Sequence, residues 1–95
     1  MNTAVTMPIE QRKFRFDSVH DAIRFSFSDG SREVQALVSQ ECMEADFSVR
    51  SNDIVDWLAA CVQFTHEIES AALELWQEGA PEPVVVKSGN VRLTP

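Results

Sequence analysis

The 95-residue sequence has no tyrosine, only three glycines and two cysteines, and no long apolar run. Three isolated glycines do not form the glycine-rich loop that cradles phosphates, which excludes that kind of nucleotide site. No stretch approaches the roughly 18 consecutive apolar residues of a membrane-spanning helix. Residues 1–8 lack the basic and apolar regions of a signal peptide. We therefore expect a cytoplasmic protein that does not enter the membrane.

The residue types that bind metals or attack substrates have spacings that suit neither role. His66 and Glu67 begin like the zinc-protease motif HExxH, but Ser70 stands where the second histidine belongs. Cys42 and Cys61 have no metal-ligand spacing, and we expect free thiols in the core rather than a disulfide. A catalytic pair of one cysteine with a histidine is the weaker alternative. The sequence thus predicts no metal and no cofactor, and it favours a protein that is not an enzyme.

Positive charge is also scarce, because 8 Lys and Arg face 15 Asp and Glu, for a net charge of -7. Residues 39–79 contain nine acidic residues and a single basic one, Arg50, whereas residues 1–38 are balanced. Direct nucleic-acid binding requires a basic surface that displaces counterions from phosphates, so we exclude it. A cationic partner, or mimicry of nucleic acid, remains open.

The composition is that of a globular domain, with 44% hydrophobic and 24% charged residues. Residues 1–11 are polar and irregular, which predicts a disordered tail. Residues 12–95 then form one small domain.

Alternating apolar residues predict a hairpin formed by residues 22–27 and residues 32–38. Asp29 and Gly30 lie between them, and this pair favours a two-residue type I′ turn with positive φ. Such a turn predicts a register in which Phe25 lies opposite Val34 and Ile23 lies opposite Ala36.

Two helices are predicted next. Ser39 caps a short helix over residues 40–45. A long helix follows a cap at Ser51 or Asn52 and runs to Glu78. At about 27 residues it would be about 40 Å long, which exceeds what a small sheet covers. The excess apolar face requires a kink, the short helix or a partner.

A valine-rich strand over residues 84–87 and a turn over residues 88–90 close the chain, and residues 91–93 are a weaker candidate for pairing back. The predicted fold is a two-layer α+β domain. An antiparallel sheet of three to five strands packs on one long helix, with a short helix before it.

The long helix is predicted to separate apolar from acidic side chains. A solvated face is the plain interpretation of the acidic stripe, and a recognition surface is the alternative. Both tryptophans lie on the apolar face, where core packing is favoured over an interface. The candidate interaction surface consists of Asp56, Glu67, Glu74, Glu78, Trp57 and Trp76.

His66 and Glu69 form a second candidate site, because Glu69 falls inside the apolar arc of the helix and lies beside His66. They would act as an acid–base or ligand-contacting pair in a pocket between helix and sheet. The plainer interpretation makes Glu69 an edge carboxylate that pairs with Arg24 or Arg50.

A resemblance to a known family rests on the order of these segments. The hairpin ends in EVQALVSQECM over residues 33–43, and a long helix with the early Trp57 and a valine strand follow. This order resembles the bacterial proteins grouped as domain of unknown function 1488, although Cys42 and Met43 stand where Ala-Leu is commoner. The resemblance covers roughly residues 12–88 and implies a small cytosolic α+β protein that is not an enzyme by itself. The family carries no established activity, so it implies no site residue.

The function favoured by these features is an interaction module, with either a protein partner or another copy of the chain. One alternative is a small-molecule or catalytic site at His66 and Glu69. A further alternative is an acidic inhibitor that mimics nucleic acid and binds a basic protein.

Overall fold

A computed structural model describes residues 13–47, residue 49 and residues 53–91 of the chain. These form four strands and three helices in the order β1 (Arg15–Asp17), β2 (Ala22–Ser28), β3 (Glu33–Val38), α1 (Gln40–Asp46), α2 (Ile54–Gln63), α3 (Thr65–Gln77) and β4 (Val84–Val86). The two-layer α+β fold predicted from the sequence is confirmed. Within the described ranges, no helix has the length and apolar character needed to cross a bilayer.

The sheet has the strand order β1-β2-β3-β4. The first three strands are antiparallel to their neighbours, but β4 runs parallel to β3. The prediction of a fully antiparallel sheet is therefore wrong for β4. All three helices lie between β3 and β4 in the chain, and a connection of this length allows the chain to re-enter the sheet in the parallel direction.

The hairpin register differs from the predicted one by two residues. Phe25 pairs with Ala36, and Phe27 pairs with Val34. The loop contains four residues rather than two, because the Asp29 carboxylate accepts hydrogen bonds of 2.9 Å from the backbone N–H groups of residues 31 and 32. A shift of two residues preserves the side-chain faces, so the predicted core face is correct. Gly30 has the expected positive φ, at 101°.

The core lies between the helices and one face of the sheet. Phe25 is 2% exposed, and its ring lies 5.3 Å from that of Phe14. Val84 and Val86 of the edge strand are fully buried. The helices contribute the following buried side chains: Cys42, Met43, Trp57, Ala60, Cys61, Ile68, Ala71 and Ala72.

The single long helix of the prediction is wrong, since it is interrupted at Phe64. Phe64 has φ −110° and ψ 29°, which ends α2, and α3 begins at the next residue. The Thr65 hydroxyl donates to the carbonyl groups of Cys61 and Val62, and such back-bonding bends helices. The Phe64 ring stacks on Phe47 at 4.9 Å. The break supplies the kink that the excess helix length requires.

The helix caps follow local sequence signals. Ser39 caps α1 as predicted, and its side chain accepts from the N–H of Cys42. Asp53 caps α2 by accepting from the N–H of Val55. The predicted caps at residues 51 and 52 lie outside the described residues, as do the predicted tail and residues 92 and 93 of the predicted last strand.

The turn over residues 88–90 is confirmed, since the N–H of Asn90 donates to the carbonyl of Lys87 at 3.0 Å. Val91 follows this turn as a buried residue outside any strand.

Candidate functional site

An open groove of about 560 Å³ lies between helix α3 and the end of strand β2. One wall consists of side chains at helical spacing on α3: His66, Glu69, Ser70 and Leu73. The opposite wall comes from the hairpin: Ser26, Phe27, Ser28 and Glu33. Lys13, which precedes β1, completes the lining. The structure thus brings the predicted pair His66 and Glu69 to one groove.

Glu69 forms an ion pair with Lys13 across this groove, and both side chains are about one-third exposed. Neither Arg24 nor Arg50, the partners predicted from the sequence, forms this ion pair with Glu69 in the described residues. Arg24 instead binds Asp17, with 2.9 Å between its Nη2 and the Asp17 Oδ2, and Arg50 lies outside the described residues. Lys13 was missed by sequence analysis because it is far from Glu69 in the chain and belongs to no motif.

The environment of Lys13 disfavours its charge. Partial burial lowers the pKa of this amine, and the nearby negative charge of Glu33 offsets part of that effect. The hydroxyl of Ser26 donates a hydrogen bond of 2.8 Å to the Glu33 carboxylate. The groove therefore combines one cation, two carboxylates and several hydroxyl groups. This open groove, lined by charged side chains as well as by Phe27 and Leu73, differs from the deep apolar pocket that would favour catalysis by His66.

No part of the chain that the structure describes holds three or more His, Cys, Asp or Glu side chains placed to bind a metal ion. Both cysteines are free and buried. Burial raises the pKa of the Cys61 thiol to about 12, and burial, followed by a hydrogen bond to Asp46, raises the pKa of Cys42 far above its usual range. Because the thiolate is the nucleophile, both thiols are unreactive in the folded state.

The second notable feature of the structure is the negative charge of its helices. Neither lysine nor arginine occurs in α1, α2 or α3. We use the term acidic layer for five exposed carboxylates of this helical layer and the half-buried Glu67: Glu41, Glu44, Asp56, Glu67, Glu74 and Glu78. The basic residues of the described segments lie outside these three helices: Lys13, Arg15, Arg24, Arg32 and Lys87. The three helices therefore carry acidic residues and no lysine or arginine, whereas the sheet and its loops carry both signs, since they also contain Asp17, Asp21, Asp29, Glu33 and Glu82.

The break at Phe64 divides the predicted acidic stripe. Asp56 lies on α2, whereas Glu67 and Glu74 lie on α3. Glu67, Glu74 and Glu78 are seven and four residues apart, so they project from the same side of α3. The acidic layer is thus spread over several elements rather than aligned along one helix.

The two tryptophans have different surroundings. Trp57 is 4% exposed and packs 6.2 Å from the ring of Phe16, so little of its surface is accessible to a partner. Trp76 is half-buried, and its indole N–H donates to Asp29 at 2.9 Å. The guanidinium of Arg32 lies 5.7 Å from the Trp76 ring centre. Both side chains hold elements of the fold together.

Comparison with known proteins supports the fold. No protein-family model matches the sequence, and no curated protein matches it either. A crystal structure of a protein of unknown function from the DUF1488 family, from Shewanella loihica PV-4, matches with a TM-score of 0.69 and 21% sequence identity. The match covers 84% of this chain and 89% of that chain. The resemblance to this family, which the sequence predicts, is thus confirmed in the fold.

Proposed function

We propose that the protein is a non-catalytic binding module whose acidic layer docks on a basic surface of a partner protein. The observation that carries this proposal is that three packed helices expose carboxylates and contain no lysine or arginine. A surface with one sign of charge attracts an opposite one over the distance of a Debye length, about 8 Å at physiological ionic strength. Such a field accelerates encounter with a basic partner.

The distribution of the carboxylates supports a particular kind of basic partner. Exposed acids lie on α1, α2 and α3, so they cover a surface rather than a line. A surface of negative charges resembles the phosphates that a nucleic-acid-binding protein contacts. A protein surface that otherwise contacts phosphates is therefore the partner that fits the acidic layer best.

The test compares two variants with the same change in net charge. Glu74→Gln/Glu78→Gln neutralises two exposed carboxylates at the C-terminal end of α3. Ser18→Lys/Asp21→Asn makes the same change in the exposed loop between β1 and β2. A partner is captured from the source cells by cross-linking, purified, and titrated calorimetrically with parent and variants at low and high salt.

We expect the α3 variant to bind several-fold more weakly than the parent and the loop variant to bind nearly as well. Parent binding should also weaken as salt is raised, because exposed charges are screened. Equal affinities for all three proteins, unaffected by salt, would remove the acidic layer from the interaction.

The groove supports a second candidate function, which is recognition of a small zwitterionic molecule. The observation that favours it is that Lys13 and Glu69, beside His66, offer opposite charges within one groove. A screen of amino acids by ligand-observed NMR tests this function. Binding that Glu69→Gln abolishes supports it, whereas binding that Glu69→Gln leaves unchanged contradicts it.

A further inference from the structure

Within the described segments, β1 pairs with only part of strand β2. The three residues of β1 pair with residues 22–24 of β2. Among the described residues, no strand pairs with residues 25–28 on that side. In an antiparallel strand, every second residue directs both its N–H and its C=O towards the same neighbour. Residues 26–28 therefore present at least one backbone donor and acceptor pair along this edge.

The groove follows this same edge. Ser26 and Ser28 line it from β2, while His66, Ser70 and Leu73 line it from α3. A strand edge that runs beside a helix receives an extended peptide as an added strand, with backbone hydrogen bonds on one side and side-chain contacts with the helix on the other. A volume of about 560 Å³ lies in the range of ordinary ligand sites and accommodates a few residues of such a peptide.

The charges of the groove define the side chains that fit. Lys13 pairs with Glu69, which neutralises one of the two carboxylates. Glu33 accepts from the uncharged hydroxyl of Ser26, and the single amine of Lys13 lies near both carboxylates. An arriving lysine or arginine beside Glu33 would complete the charge balance of the groove.

We propose that the edge of β2 at residues 26–28 binds an extended segment of a partner protein that bears basic side chains, and that this segment adds a strand to the sheet beside α3. The inference rests on the proposed function in one respect, since it takes the partner to be basic. It adds the location of the contact and the conformation of the bound segment.

The test uses the full-length protein and a capped seven-residue peptide of alternating threonine and lysine as the probe. Titration followed by amide NMR is expected to shift residues 26–28 of β2 together with His66 and Ser70 of α3. A second peptide has the same side chains but N-methyl groups on alternate backbone nitrogens, which removes hydrogen bonds and keeps the charge. We expect it to bind about tenfold more weakly, because it loses one or two backbone hydrogen bonds.

Two arginine variants locate the contact on the protein. Ser70→Arg places a long cationic side chain in the groove, and Gln77→Arg places the same side chain at an exposed position of α3 outside it. We expect Ser70→Arg to abolish the shifts and Gln77→Arg to preserve most of them. Equal effects of the two variants would overturn the inference, since a response to charge alone does not depend on the groove.

The remaining outcomes separate this inference from the proposed function. Equal affinities for the two peptides would overturn strand addition and leave the acidic layer as a charge-based surface. Shifts confined to Glu74 and Glu78 would do the same. Contacts between residues 1–12 and residues 26–28 in the free protein, seen as nuclear Overhauser effects, would overturn the inference because the chain would itself occupy the edge. Loss of partner binding in Glu74→Gln/Glu78→Gln concerns the proposed function alone.

Discussion

The indole N–H of Trp76 donates a hydrogen bond of 2.9 Å to the Asp29 carboxylate, and this bond joins the end of α3 to the loop between β2 and β3. The other oxygen of Asp29 accepts from the backbone N–H groups of Ser31 and Arg32. One carboxylate therefore closes the hairpin loop and attaches it to the helical layer. These hydrogen bonds, first those from the loop backbone and then that from Trp76, hold the pKa of Asp29 well below its usual range.

Replacing Trp76 by phenylalanine tests this attachment, since it removes the N–H and keeps most of the apolar surface. We expect a lower melting temperature and faster amide hydrogen exchange at Ser31 and Arg32, because the loop loses its contact with α3. Gln77→Ala is the control, as Gln77 is an exposed neighbour on the same helix. Unchanged exchange in the loop of the Trp76→Phe variant would show that the hydrogen bond does not hold the loop in place.

Acid should destabilise the protein through its hydrogen-bonded carboxylates. Burial of the Asp17 carboxylate opposes its ionisation, but hydrogen bonds from His20 and Arg24 outweigh this effect and lower its pKa from 3.8 to about 2. A pKa that is lower in the folded state means that the unfolded state binds more protons. The contribution of Asp17 to stability is therefore complete above its unfolded pKa and is lost as pH falls from about 4 to about 2.

Urea unfolding between neutral pH and pH 2 measures this loss, and Asp17→Asn is the informative variant. We expect its unfolding midpoint to be lower than that of the parent at neutral pH and to approach the parent value in acid. A constant difference between the two proteins across the whole range would show that Asp17 titrates at its ordinary pKa.

Gly30 should resist substitution because of its backbone conformation. Its φ of 101° lies in the region that favours glycine, and no atom lies within 4 Å of an added Cβ. Gly30→Ala is therefore expected to cost about 1–2 kcal/mol through backbone strain alone. Chemical denaturation measures the cost, with Ser18→Ala in another exposed loop as the reference. A cost equal to that of the reference would mean that the loop adopts another conformation.

Some features of this fold depend only on neighbouring residues, and these are the ones that sequence reasoning predicts well. The cap at Ser39 and the positive φ of Gly30 follow from local backbone chemistry. The inward face of β2 follows from the alternation of its apolar residues. Each of these features is determined within a few residues of chain.

Other features depend on contacts between distant residues. The hairpin register reflects the hydrogen bonds of Asp29, one of which comes from Trp76. The end of α2 coincides with the stacking of Phe64 on Phe47. In the groove, His66 and Glu69 were predicted from helical spacing, but their neighbour Lys13 is brought there only by the folded chain. Local periodicity contains no information about such contacts.

Phe25 is the side chain whose removal should most weaken the core. The residue is 2% exposed, and its ring centre lies 5.3 Å from that of Phe14 and 6.3 Å from that of Phe27. Phe25→Ala is expected to cost about 3–5 kcal/mol, which is most of the stability of a small domain. Circular dichroism during thermal unfolding measures this loss, and Val19→Ala, at an 87% exposed position, is the control. A Phe25→Ala variant that unfolds cooperatively at the parent temperature would contradict the packing of the sheet against the helices.

The reaction rate of the two thiols should report the unfolding of the core, because neither thiol is accessible in the native protein. Cys42 and Cys61 are both fully buried in the core, and burial raises the pKa of each. A chromogenic disulfide reagent is therefore expected to react slowly with the native protein, at the rate at which the core opens, and quickly with both thiols in denaturant. Val19→Cys provides the exposed reference, and we expect the one thiol that it adds to react with the reagent at once. Rapid reaction of either native cysteine in the parent protein would mean that the helix carrying it, α1 for Cys42 or α2 for Cys61, detaches readily from the sheet.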